Sequence, residues 1–196
     1  MRIRQLPICL AVICAALITG TTTGCSIIRG DEPEPILGVE QAVRRVDSTL
    51  DDTFEAVHPR LQWRQGPAHL TERKNSLTNK STGEVGVSRQ RYVRTKVSTA
   101  KLVKLIETVR HHWIKEGFEV HVVDPRTPTL SGKAPDGRGV NITVSAFGDV
   151  EISAGIGARS DQRSGDIPGE GGDAFPKARD GGPDYTPDRR DPYWSA

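Results

Sequence analysis

VNITVSAFGDVEISAGI, residues 140–156, sets Val140, Ile142, Val144 and Ala146 against Asn141, Thr143, Ser145 and Phe147. After Gly148-Asp149 the alternation returns, with Val150, Ile152, Ala154 and Ile156 against Glu151 and Ser153. A period of two with one apolar side is the signature of a β-strand buried on one face. Two such strands across a Gly-Asp turn form an antiparallel pair, and an antiparallel sheet can leave its second face to water. Upstream, residues 118–123 (FEVHVV) read as a strand and residues 129–133 as a short one. Asp124-Pro125, Pro128 and Pro135-Asp136-Gly137 mark turns between them. The second half of the chain is therefore an antiparallel meander.

Two amphipathic helices accompany it. Val39, Val43, Val46, Leu50, Phe54 and Val57 recur at three- and four-residue steps, predicting a helix over residues 37–57. His58-Pro59 ends it, because the residue before proline avoids the helical region. Leu102, Ile106, Val109 and Trp113, with Val103 beside them, mark a second helix. Ser98 and Thr99 offer its N-cap and Gly117 its C-cap.

Between the helices, residues 61–63 (LQW) begin a short strand that Gly66-Pro67 stops. Residues 68–84 are polar and aperiodic, and predict a loop or a hairpin connection with frayed strand ends. Residues 85–97 (VGVSRQRYVRTKV) form a strand with Val85, Val87, Val93, Thr95 and Val97 on one face and Ser88, Gln90, Tyr92, Arg94 and Lys96 on the other. Arg89 and Arg91 interrupt the apolar face, which suggests a bulge or register shift. The order αββαββββ predicts an α+β fold: a two-layer sandwich with both helices on one face of an antiparallel sheet, over residues 37–158.

Beyond residue 158, Gly, Pro, Asp, Arg and Ser dominate, and apolar residues are too sparse to offset the entropy of ordering. Residues 159–196 are expected to be disordered. The closing Asp191-Pro192-Tyr193-Trp194-Ser195-Ala196 stands apart, and its aromatic pair either folds back on the domain or meets a partner.

At the other end, Arg2 and Arg4 precede an apolar run over residues 6–18, which is shorter than the ~20 residues of a membrane span. A basic start, a short apolar core and a small-residue exit describe a secretory signal over residues 1–24. Cys9 and Cys14 would leave with it. Residues 17–25 (LITGTTTGC) resemble a bacterial lipoprotein signal, and that resemblance implies that Cys25 becomes the first residue, and the lone cysteine, of the mature chain. Lipidation explains a leftover cysteine in an exported protein, and a diacylglyceryl group anchors where a single acyl chain binds only marginally. Residues 25–36 would be the lipidated N-terminus and an extended tether.

The chain holds 27 basic and 25 acidic residues, and loss of Arg2 and Arg4 leaves 25 against 25. That balance argues against nucleic acid as a partner. The distribution is uneven. Residues 31–58 carry eight acidic and two basic side chains; residues 59–105 carry eleven basic and two acidic. Either the two regions face each other, or the basic one is an exposed patch. In the second case the patch would suit anionic lipid headgroups or anionic wall polymers. The candidate contacts for a protein partner are Arg89, Arg91, Tyr92, Arg94 and Lys96, together with Tyr193 and Trp194.

Catalytic chemistry finds little support. Adjacent His111 and His112 point about 100° apart on a helix, so they cannot share a metal as an i, i+4 pair does. Glu119, His121 and Asp124 have no fixed geometry, and no metal or other cofactor is expected. Ser98, Ser145 and Ser153 lack a nucleophile-elbow context. Gly155-Ile156-Gly157 does not lead into a helix, and Asp51, Asp52 and Glu55 read as a solvated helix face.

Thr23-Gly24-Cys25, the Leu61-Gln62-Trp63 segment, the helix around His112-Trp113 with its Gly117-Phe118 exit, and the terminal Tyr193-Trp194-Ser195-Ala196 together resemble small lipoproteins of high-GC Gram-positive actinomycetes, especially streptomycetes. Thr22 departs from that family's pattern, in which an aliphatic residue is usual. The resemblance implies a location and not a chemistry, so it carries over Cys25 alone. The expectation is a lipoprotein on the outer face of the cytoplasmic membrane, holding a non-enzymatic binding domain for a protein partner. The alternative is a small-ligand sensor or carrier in the cell envelope.

Overall fold

The computed structural model describes residues 37–124, 129–162 and 164–196. The signal, Cys25, the tether and the Pro125–Pro128 turn lie outside the described residues.

The chain forms α1 (Val39–Glu55), β1 (Trp63–Gln65), β2 (His69–Lys74), β3 (Ser81–Val93), α2 (Thr99–Lys115), β4 (Glu119–Asp124), β5 (Thr129–Lys133), β6 (Gly139–Val144), β7 (Val150–Arg159) and β8 (Gly165–Asp166). The strands make one antiparallel sheet in the order β4-β5-β6-β7-β3-β2-β8, with β1 also beside β3. This is the expected α+β architecture, with the helices packed on the sheet and two more strands than predicted.

Each helix buries its periodic stripe. On α1, Ala42, Val43, Val46, Leu50 and Phe54 are buried. On α2, Leu102, Leu105, Ile106, Val109 and Trp113 are buried, while Val103 faces water and Leu105 takes the inward position beside the stripe. Helix α2 ends as Gly117 allows. With φ at +85°, it turns the chain so that its N–H bonds Ile114 O at 3.1 Å and the Phe118 N–H bonds Trp113 O at 2.9 Å. That pair of bonds satisfies carbonyls a helix end otherwise leaves open. Ser98 does occupy the N-cap of α2, but its hydroxyl donates to Ala196 O at 2.7 Å and makes no cap bond.

The helices meet at Trp113, whose Nε1–H donates to Thr53 Oγ1 at 3.0 Å; the Thr53 hydroxyl in turn donates to Thr49 O at 2.8 Å. The bond satisfies the indole's polar atom inside the core, as burial demands. Against this layer the sheet sets Val85, Val87, Val140, Ile142, Ile152, Ala154 and Ile156.

The polar segment 68–84 is a strand hairpin. His69–Lys74 pairs with β3, and Asn75 Oδ1 accepts the N–H groups of Leu77 and Thr78 in the turn. Alternation was hidden there because Leu70 is the one buried residue of β2. Strand β3 spans thirteen residues and carries β7 along one edge. Its other edge is shared by β2 and β1, parted at Gly66-Pro67. The expected irregularity at Arg89 and Arg91 does not occur, and the ladder with β7 runs unbroken from Glu84 to Tyr92.

The largest departure is the C-terminal segment. Residues 164–196 are ordered against the domain: β8 pairs with β2, and Ile167 and Trp194 are buried. This corrects the expectation of a disordered tail. Its large apolar side chains meet sites on the domain, and two of its carboxylates, Glu170 and Asp188, meet buried arginines.

Candidate interaction surface

Because β3 keeps its register, Arg89 and Arg91 stay on the face that carries Val85, Val87 and Val93, directed at α1. Both are almost wholly buried, and an unpaired cation there would be prohibitively costly. Helix α1 supplies the counter-charge. Asp47 takes two hydrogen bonds from Arg89 Nη1, at 2.9 and 2.8 Å. Asp51 Oδ1 lies 2.8 Å from Arg91 Nη1, off the line of a hydrogen bond, so that contact is an ion pair by distance alone. Gln65 Oε1 accepts from Arg91 Nε and Nη2 at 3.3 and 3.2 Å, and the guanidinium lies 3.9 Å above the Trp63 ring. The acidic and basic regions therefore face each other.

The rest of the counter-charge comes from the C-terminal segment, a strap over residues 164–196. Glu170 Oε2 accepts from Arg89 Nη2 at 2.7 Å, and Glu170 O accepts the Ala68 N–H at 3.0 Å. Arg94, equally buried, is held by Asp188 at 3.2 and 3.0 Å and by Asp184 O at 2.9 Å. Burial pushes the Asp47 carboxyl above its ordinary value even though Arg89 pulls the other way. The hydrogen bond from Arg94 holds Asp188 below its own.

Apolar contacts complete the strap. Trp194 is 1 % exposed, and its Nε1–H donates to Pro59 O at 2.8 Å. Tyr193 packs edge-on to Trp194, with Lys101 Nζ 3.9 Å from its ring centre. Tyr185 stacks on Tyr92 at 4.0 Å, Phe175 meets both edge-on, and Arg64 donates to Ala174 O. Where the strap crosses Gly66-Pro67 it comes so close that a Cβ on Gly172 would lie 2.7 Å from Gln65 O, Gly66 C and Pro67 N.

The expected partner-contact set is thus largely a self-contact. Arg89, Arg91, Arg94 and Trp194 are buried inside the molecule and offer nothing to a partner, which corrects that reading. Tyr92 and Tyr193 are half-buried under or within the strap, and Lys96 alone of the set is exposed. Their partners Asp47, Gln65, Glu170 and Asp188 carry no local signal, since each lies far away in sequence. Among the described residues no group of acidic, histidine or cysteine side chains has metal-binding geometry. His111 Nδ1 contacts Glu107 O at 2.7 Å, and His121 Nε2 lies 3.4 Å from Glu119.

What remains open is the sheet face away from the helices, lined by Ser88 and Gln90 of β3, Glu151 and Ser153 of β7, and Asn141 and Thr143 of β6. Burial raises the Glu151 carboxyl above its ordinary value. Among the described residues Glu151 has no ion-pair or hydrogen-bond partner. At one end of this face Phe147 stands out of the β6–β7 turn, 93 % exposed. The alternation of residues 140–147 places Phe147 on the outward face, and an aromatic at a turn tip is the signal that marks it. Compared with known proteins, the chain matches no family model, no curated protein and no solved structure.

Proposed function

We propose that this is a lipid-anchored lipoprotein of the outer face of the cytoplasmic membrane, attached through Cys25, whose folded region is a non-enzymatic binding module for a protein partner. The anchor rests on the short apolar run, the Thr23-Gly24-Cys25 exit and the lone cysteine that would remain. The binding role is supported by one observation above all. The strap consumes the buried arginines and docks the terminal tryptophan, yet leaves a broad face of short polar side chains to solvent. Protein partners use broad, shallow surfaces, whereas small ligands need concave ones. The alternative, a small-ligand sensor or carrier, needs room between helices and sheet, where Leu50, Leu105, Val109 and Trp113 pack at 0 % exposure.

Intact-mass analysis of the membrane fraction tests the anchor. The expected mature species begins at Cys25, carries an added diacylglyceryl group, and is lost in Cys25→Ala. An unmodified species released equally by both chains would sink the anchored reading and return the search to a soluble ligand.

A further inference from the structure

The β6–β7 turn is built to hold an aromatic ring in water. Ser145 N–H donates to Asp149 O at 2.8 Å and Gly148 N–H to Ser145 O at 3.0 Å. Ser145 Oγ accepts from the N–H groups of Phe147 and Asp149 at 3.2 and 3.1 Å, and its hydroxyl donates to Asp149 Oδ2 at 3.2 Å. Gly148 takes φ +85°, which closes the turn without strain. A tip so pinned gives up little conformational entropy on docking, and a protruding aromatic on a rigid support is what binding hot spots use.

Four residues on, Glu151 leaves the same hairpin on the open face. Its ladder neighbours are Thr143 on β6 and Tyr92 on β3. Tyr92 carries Tyr185 stacked above it, and Tyr185 is 39 % exposed. A half-buried carboxylate with no counter-ion among the described residues, beside an aromatic stack, is suited to an incoming ammonium or guanidinium group.

We propose that the Phe147 tip and the adjoining Glu151–Tyr185 corner form a docking surface for a protein partner, in which Phe147 enters an apolar pocket and Glu151 receives a lysine or arginine. This rests on the binding-module reading above and names the chemistry of its partner. A lipid surface is the poorer occupant on two grounds. The tip is flanked by Asp149 and Glu151, which anionic headgroups repel. Leu37, the first described residue, lies at the far end of the sheet: its O accepts the Arg159 N–H at 3.0 Å, and the ten residues of β7 put that end roughly 30 Å from the tip. The tip therefore lies at the opposite end of the sheet from Leu37, the residue that follows the proposed tether.

The test replaces Phe147 with photoreactive benzoylphenylalanine in the full-length chain in intact cells, with the same probe at Leu77 as a control. Leu77 is comparably exposed, at 86 %, on the β2–β3 turn, at the opposite end of the sheet from Phe147. The expected result is a discrete protein adduct at 147 and not at 77. Its crosslinked peptide should lie within a few residues of a lysine or arginine, and its yield should fall more than fivefold with Glu151→Lys. An adduct carrying only lipid, an adduct indifferent to Glu151→Lys, or no adduct above the Leu77 control overturns the surface. Lipidation at Cys25 is read from the same mass spectra. A lipidated chain without adduct removes this surface but keeps the anchor, and an unlipidated chain with the charge-dependent adduct does the reverse.

Discussion

The helix–sheet sandwich and the C-terminal strap are held by different physics. In the sandwich, two apolar stripes and the sheet exclude water over a continuous core; the Trp113 indole N–H inside it is hydrogen-bonded, while Arg89 Nε and Arg91 Nη1 on β3 are buried without a hydrogen bond. The strap has almost no core of its own. It is fastened at separate points: β8 on β2, Glu170 on Arg89, Gly172 against Gly66-Pro67, Asp188 on Arg94, and Trp194 under Pro59. Prolines between those points reduce the freedom the unfolded segment must lose. A polar segment can thus be ordered by spaced anchors where a domain needs a continuous interior.

If the two regions differ in this way, Trp113→Ala and Trp194→Ala should part company although both side chains are buried. Trp113→Ala is expected to cost about 3–5 kcal/mol of global stability in a denaturant titration. Trp194→Ala should release the end of the strap to limited proteolysis while the sandwich still unfolds in one transition. A strap that stayed protected would show that the end is not held by its tryptophan.

The arginine contacts join the two regions, so their loss should be felt in both. Asp47→Ala leaves a buried guanidinium with Glu170 as its remaining acid, at an expected cost of about 3 kcal/mol. Arg89→Met should cost less, about 1–2 kcal/mol, because water reaches both freed carboxylates. Equal costs, or the reverse order, in thermal unfolding would contradict the assignment of Arg89 as the desolvated partner. Gly172→Ala should be confined to the strap. Its Cβ meets backbone that cannot move aside, at about 1–3 kcal/mol, visible as faster amide exchange at Ala68 and Asp173.

The smallest effect is on pH. Asp188 has a lowered value, so its pairing with Arg94 stabilises fully above 3.8 and is lost as pH falls through the folded value. Glu151 has a raised value and the opposite sign: its contribution is complete below 4.5 and is lost as pH rises through the folded value. Amide protection at Arg189, whose N–H bonds Arg94 O at 2.9 Å, should therefore weaken in acid below pH 3.8, and Arg94→Gln should abolish that dependence.

Much of the sandwich was legible because its signals are local. The α1 stripe, the Gly117 exit and the alternation around Gly148-Asp149 each depend on residues within a few positions of one another. Strand β2 was not legible, since with Leu70 as its one buried residue it has no period to read. The candidate site was less legible still. The pattern points to seven residues, and the fold turns most of them inward; Phe147 carries a local signal as an aromatic at a turn tip, whereas nothing local marks Glu151.

Read alone, the sequence determined where the chain alternates with period two, where with 3.6, and where it must turn, because backbone geometry answers to near neighbours. It left open whether the arginines of β3 face acids or water. That they face acids, and which acids, was decided only in three dimensions. Arg89 finds Asp47 at 42 residues' separation and Glu170 at 81, and Arg94 finds Asp188 at 94. Charge pairing acts through space once water is excluded, and no spacing along the chain records which groups the fold will bring together.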